Sequence, residues 1–370
     1  MATVSRGAGP GPAGKLGLTQ RFPVRRMIQW VLAAAIIVGV VYGSWRTLTL
    51  KPGESGHLAG SAWRDLVVQG VSRGSVYALI AIGYSLVYGI LLMINFAHGE
   101  VFMAGAFSSF FVASVFAENG FLNSNPIVAI VILLLVSMAV STLIAVLLER
   151  IAYRPLRNAP RLVPLITAIG ASLFLQNTFL GFFGPQTRGY PKPTALDGTW
   201  KILGVPFERP EVLVIVGAAV AMLGLSIFVA RTKTGKSMRA VSEDKEIASL
   251  MGINVDRVIV KTFAIGGMLA GIAGVLFALL FGQVGFRMGF LPGIKAFTAA
   301  VLGGIGSISG AALGGLLLGL TEAVAPYLLL NGAHVPSINQ LTDVVAFTVL
   351  VLVLIFRPAG LLGGGEPDKV

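Results

Sequence analysis

The sequence predicts an all-α, polytopic integral membrane protein of about nine to ten transmembrane or re-entrant helices. Three observations carry that fold class. Only 12% of the 370 residues are charged, against about 25% in a soluble domain. Hydrophobic residues make up 55% before the 47 glycines are counted, and the charges fall between apolar runs of roughly membrane-spanning length. A soluble globule of this size needs more polar surface, so soluble enzyme, nucleic-acid binder and secreted scaffold are excluded. The net charge of +12 has no apolar-free basic face with which to bind nucleic acid, and in a membrane protein it reports orientation instead. With no cysteine and only His57, His98 and His334 scattered along the chain, neither a metal nor another cofactor is expected.

Residues 1–26 hold Arg6, Lys15, Arg21, Arg25 and Arg26, no acidic residue and many Gly, Pro and Ala, which reads as a disordered basic tail. The apolar run Met27–Trp45 is an extra first membrane helix, forming with its outer loop a segment over 27–63. It is long and lacks a small-residue cleavage site after Val41, so it reads as an anchor in preference to a cleaved signal peptide. The main membrane domain covers 64–363, before a short tail at 364–370. Its spans are expected at 66–92, 98–117, 126–148, 162–183, 211–230, 258–282, 294–330 and 339–356. With the amino terminus inside, inner segments hold 17 Lys and Arg and outer segments 8, so both termini and the 231–257 loop are placed in the cytoplasm. Parity then requires 294–330 to begin and end outside. Gly303, Gly304, Gly306, Ser307, Ser309 and Gly310 supply the break at which it turns back.

Gly267 with Gly271, Gly315 with Gly319, and the series Gly306, Gly310, Gly314 repeat at four-residue spacing. Such small faces let helix backbones approach closely, within the chain in preference to between subunits. The outer loop 184–210 carries Pro185, Pro191, Pro193, Pro206 and Pro210 and is expected to form an ordered, proline-stiffened cap.

Ala230–Ser237 reads A-R-T-K-T-G-K-S, but it follows an apolar helix and has one glycine, so it lacks the strand-to-helix turn that wraps phosphate. After it, Ser242 is expected to cap a short helix with Glu243, Asp244 and Glu246 in its first turn, and Gly252 to end it. Ile247, Leu250 and Met251 then form one apolar stripe on a charged surface. Acidic residues suit an anionic lipid surface poorly, so the stripe is assigned to a protein partner. Ionisable side chains inside the membrane cost about 2.5–3.5 kcal/mol each; Glu100, Glu322, Asp343, Arg73, Lys261 and Lys295 are such residues, and several are expected to pair. Asn95-Phe96-Ala97-His98-Gly99-Glu100 interrupts the apolar pattern as a broken helix lining a path does. Asn95, His98 and Glu100, with Thr167 and Gln176, are therefore the path candidates; the alternative is plain capping of two helix ends.

Several stretches taken together resemble the permease subunits of bacterial branched-chain amino acid ABC importers. They are Gly74-Ser75-Val76-Tyr77-Ala78-Leu79 leading to Ile94–Glu100, Tyr153-Arg154-Pro155-Leu156-Arg157, Leu165–Gly170, and Arg239-Ala240 with Ala248 and Gly252-Ile253. Lys295-Ala296-Phe297, Gly303–Ser307 and Arg357–Leu361 complete the pattern. The resemblance implies a bacterial inner-membrane permease with no catalytic residues of its own. Its implied partners are two ATPase subunits, a homologous permease or second copy, and an extracytoplasmic substrate-binding protein. It also implies that Arg239, Glu243, Ile247, Ala248, Leu250, Met251 and Gly252 receive the force of ATP hydrolysis. The amino-terminal helix and the long outer loop depart from the family pattern, and permeases for other amino acids or urea share much of it. The rival reading is an ion-driven transporter with Glu100, Glu322 or Asp343 as proton carriers. A membrane enzyme lacks any paired acid and base.

The cysteine-free background tests the orientation directly. In intact cells an impermeant thiol reagent is expected to label Thr194→Cys and to spare Thr234→Cys; the reverse pattern would invert the topology.

Overall fold

Several helices in the computed structural model begin or end where a side chain or glycine satisfies terminal backbone groups, as Thr232, Asp244 and Asn254 do at helix starts and Gly282 at a helix end. The structure describes residues 22–54, 56–157, 159–160, 162–202, 204–333, 335, 338–357 and 359–363. Most of the basic tail, the carboxy-terminal tail and His334 lie outside them. The helices are α1 (Phe22–Thr49), α2 (Gly60–Leu91), α3 (His98–Glu118), α4 (Phe121–Ser124), α5 (Pro126–Leu147), α6 (Leu162–Phe183) and α7 (Arg209–Arg231). They continue with α8 (Lys233–Glu243), α9 (Lys245–Leu250), α10 (Val255–Phe281), α11 (Phe290–Gly303), α12 (Ile308–Leu330) and α13 (Thr342–Phe356). Among the described residues, α2, α3, α5 with its extension to Leu156, α6, α7, α10 and α12 are long and apolar enough to cross a membrane; α11 and α13 are shorter.

Apolar periodicity locates the hydrocarbon segment of a helix but not its caps, and most differences from expectation lie there. α1 is already helical at Phe22, the first described residue, five residues before the expected Met27. α7 starts at Arg209, where Glu208 and Glu211 form a capping box and the Glu208 N–H donates to Glu211 at 3.0 Å. The expected break in 294–330 falls at residues 304–307, with Gly304 at φ +105° and Gly306 at φ +94°. Ser307 Oγ accepts the Gly310 N–H at 3.1 Å, starting α12. The last described residues close over this turn, Leu361 N–H donating to Leu302 O and Leu362 N–H to Gly303 O, each at 2.9 Å. Two distant glycine-rich stretches of the sequence thus meet.

The chain divides into two compact units, one of residues 1–57 with 328–335 and one of 58–327 with 336–370. In the first, Thr47 Oγ1 accepts the Gly332 N–H at 2.8 Å, and Gly43 of α1 lies directly on the backbone of Leu329. In the second, α2 and α10 are central: 83% and 67% of their most apolar windows are buried, against 22% for α6 and α7. The latter expose Ile166, Phe174, Val220 and Leu223, as lipid-facing helices do.

Glycine packing brings these helices together within the chain. A Cβ on Gly271 would lie 2.7 Å from Ser137 O, and one on Gly267 2.8 Å from Ser141 O, so α10 rests on the α5 backbone. Gly310 and Gly314 lie on Gly303 and Ala299 of α11, while Gly315 and Gly319 lie on Ala78 and Gly74 of α2. Gly306 corrects the expectation: it belongs to the turn, and a Cβ there would come no nearer than 3.9 Å to Gly89.

The proline-rich loop is ordered, but by short strands that the all-α reading does not contain. β1 (Arg188–Gly189) pairs antiparallel with β4 (Gln283–Val284), and β2 (Thr199–Ile202) with β3 (Val205–Glu208) in the register Thr199↔Glu208. Gly204, at φ +79°, makes the β2–β3 turn. Arg188 lies 5.7–5.9 Å from the centres of the Phe107, Phe110 and Phe111 rings. Buried Tyr190 hydrogen-bonds Ser109 at 3.0 Å, and burial raises its phenol above the usual range. This defines a hairpin end of the molecule. The other end carries α8 and α9.

Overpacking the α2–α12 contact is expected to cost about 1–3 kcal/mol or more. Gly315→Val should therefore lower the melting temperature of detergent-solubilised protein, whereas Gly170→Ala, with open space around it, should leave it unchanged or raised. Equal melting of both variants would contradict the packing.

Candidate functional site

α2 ends at Leu91, and Leu92 takes a left-handed φ of +55°, a strained conformation for leucine. The chain then turns back along α2, so that His98, the first residue of α3, packs against Gly83. A Cβ there would sit 2.7 Å from His98 Cε1. Gly83 lies eight residues before the end of α2, about 12 Å along it, so α3 starts at membrane depth. α11 starts at the same depth: a Cβ on Gly293 would lie 3.0 Å from Gly99 Cα. Two helix amino termini meet inside the helix bundle, about 12 Å from the end of α2, each presenting N–H groups and the positive end of its dipole.

Glu100 lies at that junction, 1% exposed. Its Oε1 accepts hydrogen bonds from Gln176 Nε2 at 2.7 Å and Ser172 Oγ at 3.2 Å. Its Oε2 is buried without a hydrogen-bond partner among the described residues and rests on Gly289, where a Cβ would come within 2.7 Å. A cavity of about 270 Å³ opens beside it, walled mostly by apolar side chains including Phe96, Ile169, Leu173, Phe290 and Ile294. His98 is buried, edge-on to Tyr84 at 4.9 Å, with Nε2 unpartnered among the described residues. Asn95 Oδ1 accepts the Tyr153 hydroxyl at 2.6 Å. Of the path candidates, Asn95, His98, Glu100 and Gln176 thus gather around the break. Thr167 does not join them: its hydroxyl donates to Val163 O in its own helix at 2.9 Å. Tyr153 is not among the candidates drawn from sequence. The π-helical turn Leu148–Tyr153 that aims Tyr153 inward has no sequence signature.

A second polar cluster lies toward the hairpin end. Lys295 Nζ is 3.1 Å from Glu322 Oε1 and 2.7 Å from Asp343 Oδ1, and Arg73 reaches to 3.9 Å from Glu322. Four of the six intramembrane ionisable residues therefore pair, while Lys261 is exposed. The cluster borders a cavity of about 700 Å³. One face of α11 and the turn before it (Met288, Leu291, Pro292, Lys295) lines this cavity, and the adjacent face (Gly289, Phe290, Gly293, Ile294) lines the Glu100 cavity.

At the opposite end the expected single helix over 242–252 is two. Ser242 belongs to α8, where its hydroxyl donates to Arg239 O at 2.7 Å. Asp244 is the cap of α9, accepting the Glu246 and Ile247 N–H groups at 2.8 and 3.0 Å. A carboxylate satisfies two donors and the helix dipole together, which a hydroxyl already bonded backwards cannot. Arg239 and Glu243 consequently lie on α8. Gly252, at φ +81°, ends α9 as expected, with Ile253 N–H donating to Ala248 O and Gly252 N–H to Ser249 O. Ile247, Leu250 and Met251 are 60%, 87% and 77% exposed, while Ala248 is 4% exposed and faces the protein. Beside α9, Arg157 pairs with Glu149 and Asp256, and Arg154 with Asp256 at 2.9 Å. Burial and the nearby Arg157 lower the Lys245 pKa.

The family model described as "Branched-chain amino acid transport system / permease component" matches residues 66–354. The chain belongs to this family. The match to this permease family runs from within α2 nearly to the end of α13, leaving α1 outside it. The chain is 46% identical over 309 residues to the high-affinity branched-chain amino acid transport system permease protein BraD of Pseudomonas aeruginosa, covering 82% of this chain and 97% of BraD. It is 43% identical to LivH of Escherichia coli, a protein of the same description, over 81% of this chain and 96% of LivH. A probable branched-chain amino acid transport permease of Methanocaldococcus jannaschii is 25% identical over 58% of this chain and 66% of its own length.

Removing the Tyr153 hydroxyl leaves the Asn95 carbonyl buried and unpaired, at a cost of about 1–3 kcal/mol. Tyr153→Phe is expected to lower the melting temperature accordingly, with unchanged melting as the contrary result.

Proposed function

We propose that this chain is a permease subunit of an ATP-driven importer and forms, with a second copy or a homologous permease, the path for branched-chain aliphatic amino acids. ATP is hydrolysed on separate ATPase subunits that dock on α9. The observation carrying this reading is α9 itself. A six-residue helix is too short to be stable alone, yet this one is capped at both ends, anchored through Ala248 and left with three large apolar side chains in the open. That arrangement suits a rigid knob for a groove in another protein. The orientation follows from the excess of basic residues on the α8–α9 side. The α8–α9 end and both termini face the cytoplasm, and the hairpin end faces outward, where an extracytoplasmic binding protein docks.

Asn95, His98, Glu100 and Gln176 border the path. The apolar walls of the Glu100 cavity suit an aliphatic side chain, and the converging helix amino termini suit a carboxylate. Among the rival proton carriers, Glu322 and Asp343 are held by Lys295, which speaks against a gradient-driven cycle through them.

The test is uptake of labelled leucine by the assembled transporter, read together with ATPase copurification. Leu250→Asp places an unpaired carboxylate in the contact. It is expected to remove uptake and weaken ATPase retention about tenfold or more, as loss of a central interface residue does. Arg239→Ala, at an exposed rim, is expected to change both by less. Full leucine uptake by Leu250→Asp would remove the coupling role of α9 and restore the ion-driven reading.

A further inference from the structure

The 700 Å³ cavity at the hairpin end joins an apolar chamber to charges of both signs. Phe277, Phe281, Met288 and Leu291 supply apolar wall, and Arg73, Lys295 and Glu322 line one side. Glu322 is 5% exposed, and Lys295 occupies its Oε1 at 3.1 Å. Its Oε2 is buried with no hydrogen-bond partner among the described residues. Arg73 lies 3.9 Å from Oε1, beyond hydrogen-bond range, with its guanidinium 5.7 Å from the centre of the Phe281 ring. The cavity therefore borders a buried anion held by Lys295 and the Tyr77 hydroxyl with its Oε2 left over, a cation whose donor fork is not spent on that anion, and an aromatic and aliphatic wall. A buried acceptor without a donor costs about 1–3 kcal/mol, which an incoming ammonium group relieves. A guanidinium binds a carboxylate through two parallel bonds.

We propose that this cavity is a receiving site for a zwitterionic aliphatic amino acid, with the α-ammonium group at Glu322 and the α-carboxylate at Arg73. The side chain lies along Phe277, Phe281 and Leu291. Lys295, tied to Asp343 as well, holds Glu322 in place without bonding the ligand. The inference rests on the transport reading above and deepens it by separating two stations. The ligand is first held at this site by both of its charges, then passes the amino terminus of α11, which divides this cavity from the smaller one at Glu100. Neither a fatty acid nor an amine of the same shape satisfies both charges, so the site selects the zwitterion.

The absence of cysteine permits a readout independent of transport. Leu291→Cys, 53% exposed on the cavity wall, is introduced into the assembled transporter in membrane vesicles. Its rate of mixed-disulfide formation with a methanethiosulfonate, which releases methanesulfinate, is measured with L-leucine, with leucinamide, which lacks the carboxylate, and with 4-methylpentanoate, which lacks the ammonium group. Protection by L-leucine and not by the other two is expected. Adding Arg73→Gln should raise the half-protecting leucine concentration about tenfold or more, the factor for a lost charged hydrogen bond. Arg73→Lys should recover part of the loss. Vesicles that take up leucine while it gives no protection, or equal protection by all three compounds, would overturn the receiving site and leave the transport reading intact. Protection by leucine without uptake would support the site and sink the transport reading.

Discussion

Backbone contact between α2 and α12 sets the geometry of everything around it. Helices in a membrane gain little from burying apolar side chains, since lipid is equally apolar, and associate through close packing. Gly74 and Ala78 of α2 meet Gly319 and Gly315 of α12 with no side chain between the backbones. That approach brings Arg73 and Tyr77 on one helix to the level of Glu322 on the other, and Lys295 of α11 completes the charge pairing. A larger residue in the stripe would separate both the helices and the charges. α10 applies the same device on its other neighbour, resting Gly267 and Gly271 on α5.

Against this tight frame, the polar groups stand out because they are only half satisfied. Glu100 and Glu322 each have one oxygen hydrogen-bonded and the other buried without a partner among the described residues. Buried polar groups are ordinarily hydrogen-bonded, and these two carboxylates border the two cavities on either side of α11. α11, of 14 residues, is about 21 Å long, shorter than the roughly 30 Å hydrocarbon core of a bilayer. Its carboxy-terminal turn is clasped by residues 360–362, and its amino terminus packs on Gly99 between the two cavities.

Much of this was legible in the residues. The span positions, the break after Gly303, the packing role of Gly267, Gly271, Gly310 and Gly314, and the exposed stripe of Ile247, Leu250 and Met251 all follow from composition and spacing. Those signals are local: hydrocarbon length, the small volume of glycine and helical periodicity act within a few residues. The sequence reading failed where two local options compete. Ser242 and Asp244 are both good caps, and the choice depended on whether α8 had already ended. Thr167 bonds back to its own helix, as an isolated hydroxyl in an apolar environment does, and so does not hydrogen-bond into the Glu100 cluster.

By itself the sequence determined a polytopic helical protein, its broken segment, its protruding knob and its pool of intramembrane charges, because the cost of exposing backbone or charge to lipid applies to any arrangement of the chain. Only the tertiary structure decided which groups meet: Tyr153 with Asn95, Gln176 with Glu100, Lys295 with Glu322 and Asp343, and Arg188 with three phenylalanines. Each pairing joins residues from separate elements of the chain, and its distance depends on how closely glycine faces let the helices approach and where the amino termini of α3 and α11 begin. No periodicity along a single chain encodes those separations, which arise when several packing contacts are satisfied together.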